Sequence, residues 1–201
     1  MNASLLEMLG RQLSGQQVQQ LGQAIGADPD TTSKAISAAL PMLMGALAKN
    51  ASQPDGAASL AGALERDHDG SLLDNLGGFL GQASTGPGND ILRHVLGSQR
   101  PVAEEGVSQA SGLDMSSVAK LLPLLAPIVL AALGKTQRQQ GLDIGSLAQL
   151  LQQEKQVARR AAPSGAGGLL SQFLDSDGDG EIGDDVARMG ADLLGKWLKG
   201  R

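Results

Sequence analysis

The sequence predicts an all-α, multihelical protein in which two copies of a helical repeat pack together and each copy is followed by an Asp/Gly loop. Three observations predict this fold. Apolar residues recur at helical spacing along most of the chain, and helix-capping residues precede these segments. No stretch shows the alternating pattern of a half-buried strand. Finally, residues 23–74 are similar to residues 109–184.

Recognisable start signals place the helices of the first half. Residues 4–7, Ser-Leu-Leu-Glu, form a capping box, in which the Ser and Glu side chains bond backbone N–H groups of the first turn. A short amphipathic helix follows over residues 18–25. Asp28, followed by proline, predicts the start of a long helix that ends near Lys49. Shorter helices are predicted over residues 59–65, 72–81 and 90–96.

The second half follows the same plan. A helix over residues 102–111 precedes Asp114, which predicts the start of a second long helix ending near Gly134. Residues 121–133 of that helix are almost all apolar but too few to cross a membrane, which takes about 20 residues. We therefore expect no membrane span and a buried core helix, kinked by its prolines. Residues 144–157 predict another helix. A C-terminal helix is predicted from one apolar stripe of Val186, Met189, Leu193, Leu194, Trp197 and Leu198.

The internal similarity sets the register of the repeat. Asp28 corresponds to Asp114 at a separation of 86 residues, and the turn at 64–74 corresponds to 174–184 at a separation of 110. Four segments are predicted: a first helical repeat with a degenerate acidic loop, a second helical repeat, a flexible Gly/Pro/Ser linker, and a calcium-loop-like segment with a C-terminal amphipathic helix. They span residues 1–97, 98–158, 159–168 and 169–201. Residues 50–56 and 83–89 are predicted to be shorter linkers.

The acidic loop near the C-terminus carries the recognisable chemistry of this sequence. Acidic residues alternate, and Gly180 and Ile182 follow in the register of an EF-hand calcium loop. The twelfth position, which normally holds a bidentate Glu, is Val186, so Asp184 or Asp185 would close the loop. The predicted metal ligands are Asp175, Asp177, Asp179, Glu181, Asp184 and Asp185.

Closure by Asp predicts weak Ca²⁺ binding, with a Kd on the order of 10⁻⁵ to 10⁻³ M, and Mg²⁺ is the alternative ion. The other interpretation is an acidic turn with a helix cap, because Asp and Gly are ordinary turn residues. In the first copy, Glu65 and His68 replace Asp175 and Gly178. For that loop a metal site and a helix–turn–helix with an Asp cap are equally open.

Composition narrows the possible partners. The net charge is −5 and the sequence holds two Phe, one Trp and no Tyr. A nucleic-acid partner is not expected, because there is no cationic surface and there are few rings to stack on bases. There is no Cys for a disulfide or a thiolate site. The N-terminus lacks the pattern of a signal peptide, so the expected location is the cytoplasm. No small-molecule substrate is evident, and we expect a protein partner or self-association.

Three segments, at residues 89–97, 108–114 and 120–127, resemble the YidB-like family of bacterial proteins of unknown function. The motif is a Gly-x-Asp cap followed by Leu-Leu-Pro-Leu-Leu-Ala-Pro. The EF-hand-like or dockerin-like Asp-rich loop near the C-terminus is similar to long members of that family. The resemblance implies a multihelical fold and a bacterial source, and it implies no established activity.

Catalytic motifs are absent from the sequence. There is no G-x-S-x-G, no G-x-x-x-x-G-K-[ST] and no H-E-x-x-H, and His68 and His94 stand apart. We therefore expect no enzyme, but a non-catalytic interaction or structural module with a weak calcium-binding loop. Two alternatives are a calcium-responsive regulator that moves its C-terminal helix and a metal-free helical adaptor with acidic turns.

Overall fold

A computed structural model describes residues 4–81 and 87–161 of the chain. These residues form α-helices joined by short turns, with one 3₁₀ turn at Gly97–Gln99 and no strand among them, which confirms the predicted all-α, multihelical fold. The helices are α1 (Leu5–Gln12), α2 (Gln16–Ile25), α3 (Pro29–Ala51), α4 (Pro54–Arg66), α5 (Ser71–Asp74), α6 (Leu76–Gly81), α7 (Gly88–Leu96), α8 (Arg100–Ser111), α9 (Met115–Gln140) and α10 (Ile144–Ala161).

The two long helices, α3 and α9, lie at the centre of one hydrophobic core. Helix α3 packs against α8, α9 and α10, while α9 also packs against α7 and α8. Burial is almost complete along the middle of both helices, at Met44, Leu121, Leu125 and Ile128. Because the core contains residues from both halves of the chain, burial of apolar surface holds the two halves together.

The predicted cap residues Ser4, Asp28 and Asp114 are confirmed. The Ser4 hydroxyl accepts a hydrogen bond from the Glu7 N–H at 3.1 Å. Asp28 and Asp114 cap α3 and α9 by accepting from the N–H groups of Thr31 and Ser117, at 2.9 and 3.0 Å. Hydrogen bonds from Ser116 and Ser117 lower the pKa of Asp114 to about 2. Each carboxylate satisfies an N–H group that has no partner within its helix.

Helix α9 is longer than predicted and is buried, as predicted. It continues through Gly134 to Gln140 and ends at Gly141, which adopts the left-handed conformation at φ 62°. Its length and composition would suffice to cross a membrane, with a mean hydropathy of 1.9 over 18 residues, but 83% of that window is buried inside the protein. Its apolar surface therefore faces other helices of the same chain.

Several other predicted boundaries were wrong, including the end of the linker at 83–89, since α7 begins at Gly88. The linker at 50–56 is instead a two-residue turn, because α3 continues to Ala51 and α4 begins at Pro54. The helix over 72–81 is divided into α5 and α6 at Asn75, which has a non-helical φ of −131°. Helix α10 continues to Ala161, three residues into the predicted linker at 159–168. The remaining linker residues, 162–168, and residues 83–86 lie outside the described part of the chain.

A buried carboxylate joins the first helix to the last described one. Glu154 on α10 is only 4% exposed. It accepts hydrogen bonds from the N–H groups of Leu5 and Leu6 at 2.8 and 3.1 Å. These two groups belong to the first turn of α1, where N–H groups have no helical partner and the helix dipole favours a negative charge. Sequence reasoning missed this contact, because its partners are 149 and 148 residues apart.

Candidate functional site

The predicted metal ligands near the C-terminus all lie outside the described residues. They are Asp175, Asp177, Asp179, Glu181, Asp184 and Asp185. Residues 4–81 and 87–161 contain no group of three or more His, Asp or Glu side chains that could hold a metal ion. The related turn at residues 65–74, called here the first acidic turn, lies within the described part and has a defined geometry.

Cations from α9 balance the charge of the first acidic turn. Lys135 contacts the Asp74 carboxylate at 3.0 Å, and Arg138 lies 3.7 Å from the Asp69 carboxylate. Asp69 also accepts a hydrogen bond from the N–H of Ser71 at 2.9 Å. Hydrogen bonds from Ser71, with a smaller contribution from the charge of Arg138, lower the pKa of Asp69.

Arg138 does more than balance charge. Its guanidinium donates to the carbonyls of Glu65 and Asp69 at 2.9 and 3.0 Å, and more weakly to that of Leu64 at 3.5 Å. The carbonyls of Leu64 and Glu65 end α4, where carbonyl groups lack partners within the helix. A planar, multiply donating cation therefore holds the end of α4 and the turn together. For this turn the geometry favours a helix–turn–helix over a metal site. Asp69 accepts from the first residue of α5, although Gly70 occupies the cap position.

A cleft of about 760 Å³, called here the histidine cleft, lies beside this turn. Apolar side chains from α3, α4, α7 and α9 contribute much of its wall, and polar residues stand among them. Both histidines of the chain, His68 and His94, line it, although they are far apart in the sequence. The other polar or charged lining residues are Asn50, Asp55, Ser59, Arg66, Asp67 and Asp90.

The two histidines lie in different local environments. Nδ1 of His94 lies 2.8 Å from the backbone carbonyl of Asp90, whose carboxylate instead pairs with Arg93 at 2.8 Å. His68 is half-buried, and this burial lowers its pKa against the opposing effect of the Asp67 charge. The contact with the backbone carbonyl of Asp90 fixes the orientation of the His94 ring.

Replacing His68 with Gln is expected to make the protein less sensitive to acid. Burial holds the folded-state pKa of His68 below the ordinary value of 6.5, so the unfolded chain takes up its proton first. Wild-type stability from this residue is complete above about pH 6.5 and is lost as the pH falls toward the folded-state pKa. Urea unfolding between pH 7.5 and pH 5 measures this loss. An equal decline in wild type and His68→Gln would contradict the assignment.

The comparisons with known proteins give a family and no closer relative. A family described as a bacterial protein of unknown function (DUF937) matches residues 7–136, about two thirds of the chain. The matched region runs from α1 to the last turns of α9 and contains the histidine cleft and the first acidic turn. No curated protein and no solved structure matches the sequence.

Proposed function

We propose that this chain, which belongs to the DUF937 family of bacterial proteins of unknown function, is a non-catalytic interaction or structural module with a weak calcium-binding loop. Within the family we place it with the YidB-like members, on the similarity of residues 89–97, 108–114 and 120–127. The proposed partner is another protein or a second copy of this chain. The observation that carries the calcium proposal is the way in which α9 neutralises the first acidic turn.

The proposal uses a two-copy organisation of the chain. Gly26 and Gly112 end the helices before the two Asp caps, both in the left-handed conformation, with φ of 80° and 75°. The caps themselves, Asp28 and Asp114, have nearly the same backbone angles. Equivalent local geometry 86 residues apart supports a repeat in which α3 corresponds to α9 and the first acidic turn corresponds to the second acidic loop.

The repeat register identifies what the second acidic loop lacks. In that register Lys135 corresponds to Lys49, but Arg138 corresponds to Ser52. The second loop has six acidic residues between positions 175 and 185, whereas the first acidic turn has four between positions 65 and 74. It therefore has more negative charge to balance and no arginine at the corresponding place. A divalent cation would supply that charge, and carboxylate and carbonyl oxygens are the donors that Ca²⁺ prefers.

We assign the ion to the same donor set that the sequence predicts. Carboxylates of Asp175, Asp177 and Asp179 would bind it, together with the backbone carbonyl of Glu181 and with Asp184 or Asp185. When bound, the ion would offset carboxylate repulsion and order the loop. Its role is structural, because the loop lacks the bidentate closing Glu of sensor loops.

Calorimetric titration of the chelator-treated protein with Ca²⁺ tests the proposal. Wild type should bind one ion with a Kd on the order of 10⁻⁵ to 10⁻³ M, and Asp177→Ala/Asp179→Ala should not bind. The matched control, Asp67→Ala/Asp69→Ala in the first acidic turn, should bind as wild type does. The absence of heat and of any Ca²⁺-dependent rise in Tm would favour the metal-free adaptor instead.

A second variant tests the reasoning from Arg138 directly. Ser52→Arg places a guanidinium where the repeat register puts the counterpart of Arg138. Because the added cation would compete with the ion for the same carboxylates, Ca²⁺ affinity should fall. Gln53→Arg adds the same charge one residue away, at another exposed position, and should lower the affinity less. Equal effects in the two variants would contradict the proposed correspondence.

A further inference from the structure

A second cleft, called here the α1–α3 groove, lies on another part of the surface. It has a volume of about 660 Å³ and is bordered by α1, the start of α2, α3 and Val157 of α10. The charged residues along the groove are two acids, Glu7 and Asp30. The apolar residues of its lining include Leu6, Leu13, Val18, Ile36 and Leu40.

We propose that the C-terminal segment at residues 190–198 of this same chain docks in the α1–α3 groove. The first argument is the path of the chain. Val157 lines the groove and lies about one helical turn before Ala161, the last described residue, so the covalent chain leaves the described part within about one turn of a groove residue. The 28 residues between positions 161 and 190 span far more than the length of the groove when extended at about 3.3 Å per residue.

The second argument is a similarity between this segment and α7. Residues 190–198 read Gly-Ala-Asp-Leu-Leu-Gly-Lys-Trp-Leu, and α7 reads Gly-Asn-Asp-Ile-Leu-Arg-His-Val-Leu. The two share Gly, Asp, Leu and Leu at positions 1, 3, 5 and 9 of the segment. In α7 the first of these, Gly88, and both shared leucines, Leu92 and Leu96, are buried. Residues 190–198 thus carry the residues with which α7 packs.

The surface of α9 that α7 covers corresponds, in the repeat register, to part of the α1–α3 groove. Gly88 lies against the backbone carbonyl of Pro123 on α9, so closely that a β-carbon would collide with it. In the repeat register of the proposed function, Pro123 corresponds to Ser37 on α3, which lines the α1–α3 groove. Gly190 would give the C-terminal segment the same freedom to approach a helix backbone.

The third argument is charge. Residues 186–201 carry four basic side chains, Arg188, Lys196, Lys199 and Arg201, against one acid, Asp192. Among the described residues that line the groove, Glu7 and Asp30 are acidic and none is basic. Opposite charges around an apolar contact favour the docked arrangement, and they do so less at high salt. This inference uses the repeat register but not calcium binding, so either can fail alone.

Trp197 makes the proposal directly measurable, because it is the single tryptophan of the chain and there is no tyrosine. In the intact protein, Trp197 emission should be blue-shifted relative to the urea-unfolded chain. Ser37→Arg places a long cation in the groove at an exposed position of α3. It should shift the emission to the red and increase quenching by acrylamide. Ala58→Arg, at an exposed position of α4 that does not line the groove, should leave both unchanged.

A variant of the C-terminal segment itself provides the complementary test. Leu194→Asp leaves the groove intact and should give the same red shift as Ser37→Arg, while circular dichroism shows that both variants keep their helices. Emission in wild type equal to that of the unfolded chain would overturn the proposal, as would identical spectra for Ser37→Arg and Ala58→Arg. Emission that shifts to the red on dilution would mean that the segment docks on a second copy, which would also overturn intrachain docking.

Discussion

Gly134→Ala is expected to lower the free energy of unfolding by about 3 kcal/mol, in the upper range for overpacked sites. Gly134 lies within the buried part of α9, against the backbone carbonyl of His68, and an added β-carbon would collide with that oxygen. The carbonyl belongs to the turn that Arg138 holds in place, so it cannot move without disturbing those hydrogen bonds. Urea unfolding followed by circular dichroism measures the change.

Gly62→Ala is the matched control for this substitution. Gly62 lies within α4, away from the α1–α3 groove, and a β-carbon at this position would meet only the flexible side chain of Arg66, at 3.9–4.0 Å. Alanine in an open helical position should stabilise the protein by about 0.5–1 kcal/mol, because glycine loses more conformational freedom on folding. Opposite signs for the two Gly→Ala changes would assign the cost to the contact with His68. Similar values would show that α9 and the turn are not closely packed.

Glu154→Ala should cost about 3 kcal/mol, since it removes the acceptor of two buried N–H groups and leaves both unsatisfied. Leu5 and Leu6 would lose these partners at the start of α1, and α1 would lose its link to α10. Glu154→Gln keeps one acceptor oxygen but turns an amide donor toward the other N–H, so its cost should be intermediate. Thermal and urea unfolding of the three proteins test this order.

The surface variant Glu105→Ala provides the comparison for Glu154. Glu105 is an exposed residue of α8 whose carboxylate accepts a hydrogen bond from Gln109. Its replacement should change stability by no more than about 0.5 kcal/mol. If Glu154→Ala were equally harmless, water would have to satisfy the N–H groups of α1, and the contact would not contribute to holding α1 against α10.

Arg138 and Glu154 act in the same way at opposite helix ends. Arg138 donates to carbonyls at the end of α4, and Glu154 accepts from N–H groups at the start of α1. In both cases a charged side chain from a distant helix satisfies backbone groups at a helix end, and the helix dipole favours the sign of its charge. At α1 this contact adds to the local cap formed by Ser4. Distant charges that cap helices fix how the helices are placed relative to one another, which apolar side chains do less specifically.

Sequence by itself determined the helical class, the starts of the main helices and the burial of α9. These features depend on interactions within a few residues, such as the carboxylate of Asp114 and the N–H of Ser117, or on apolar spacing along one helix. The prediction failed where glycine has two possible roles, since it can end a helix or allow another segment to pack closely against one. The sequence predicts a helix end near Gly134, but this residue lies inside α9, where the backbone carbonyl of His68 leaves no room for a β-carbon.

Tertiary structure alone decided the candidate site and the contacts that support it. His68, in the turn that follows α4, and His94, on α7, line one cleft, and no local pattern in the sequence records that proximity. Arg138 reaches Asp69 across 69 residues, and Glu154 reaches Leu5 across 149. Such pairs form only after the apolar faces of α3 and α9 have brought distant helices together, since burial sets the arrangement and polar groups then find partners within it.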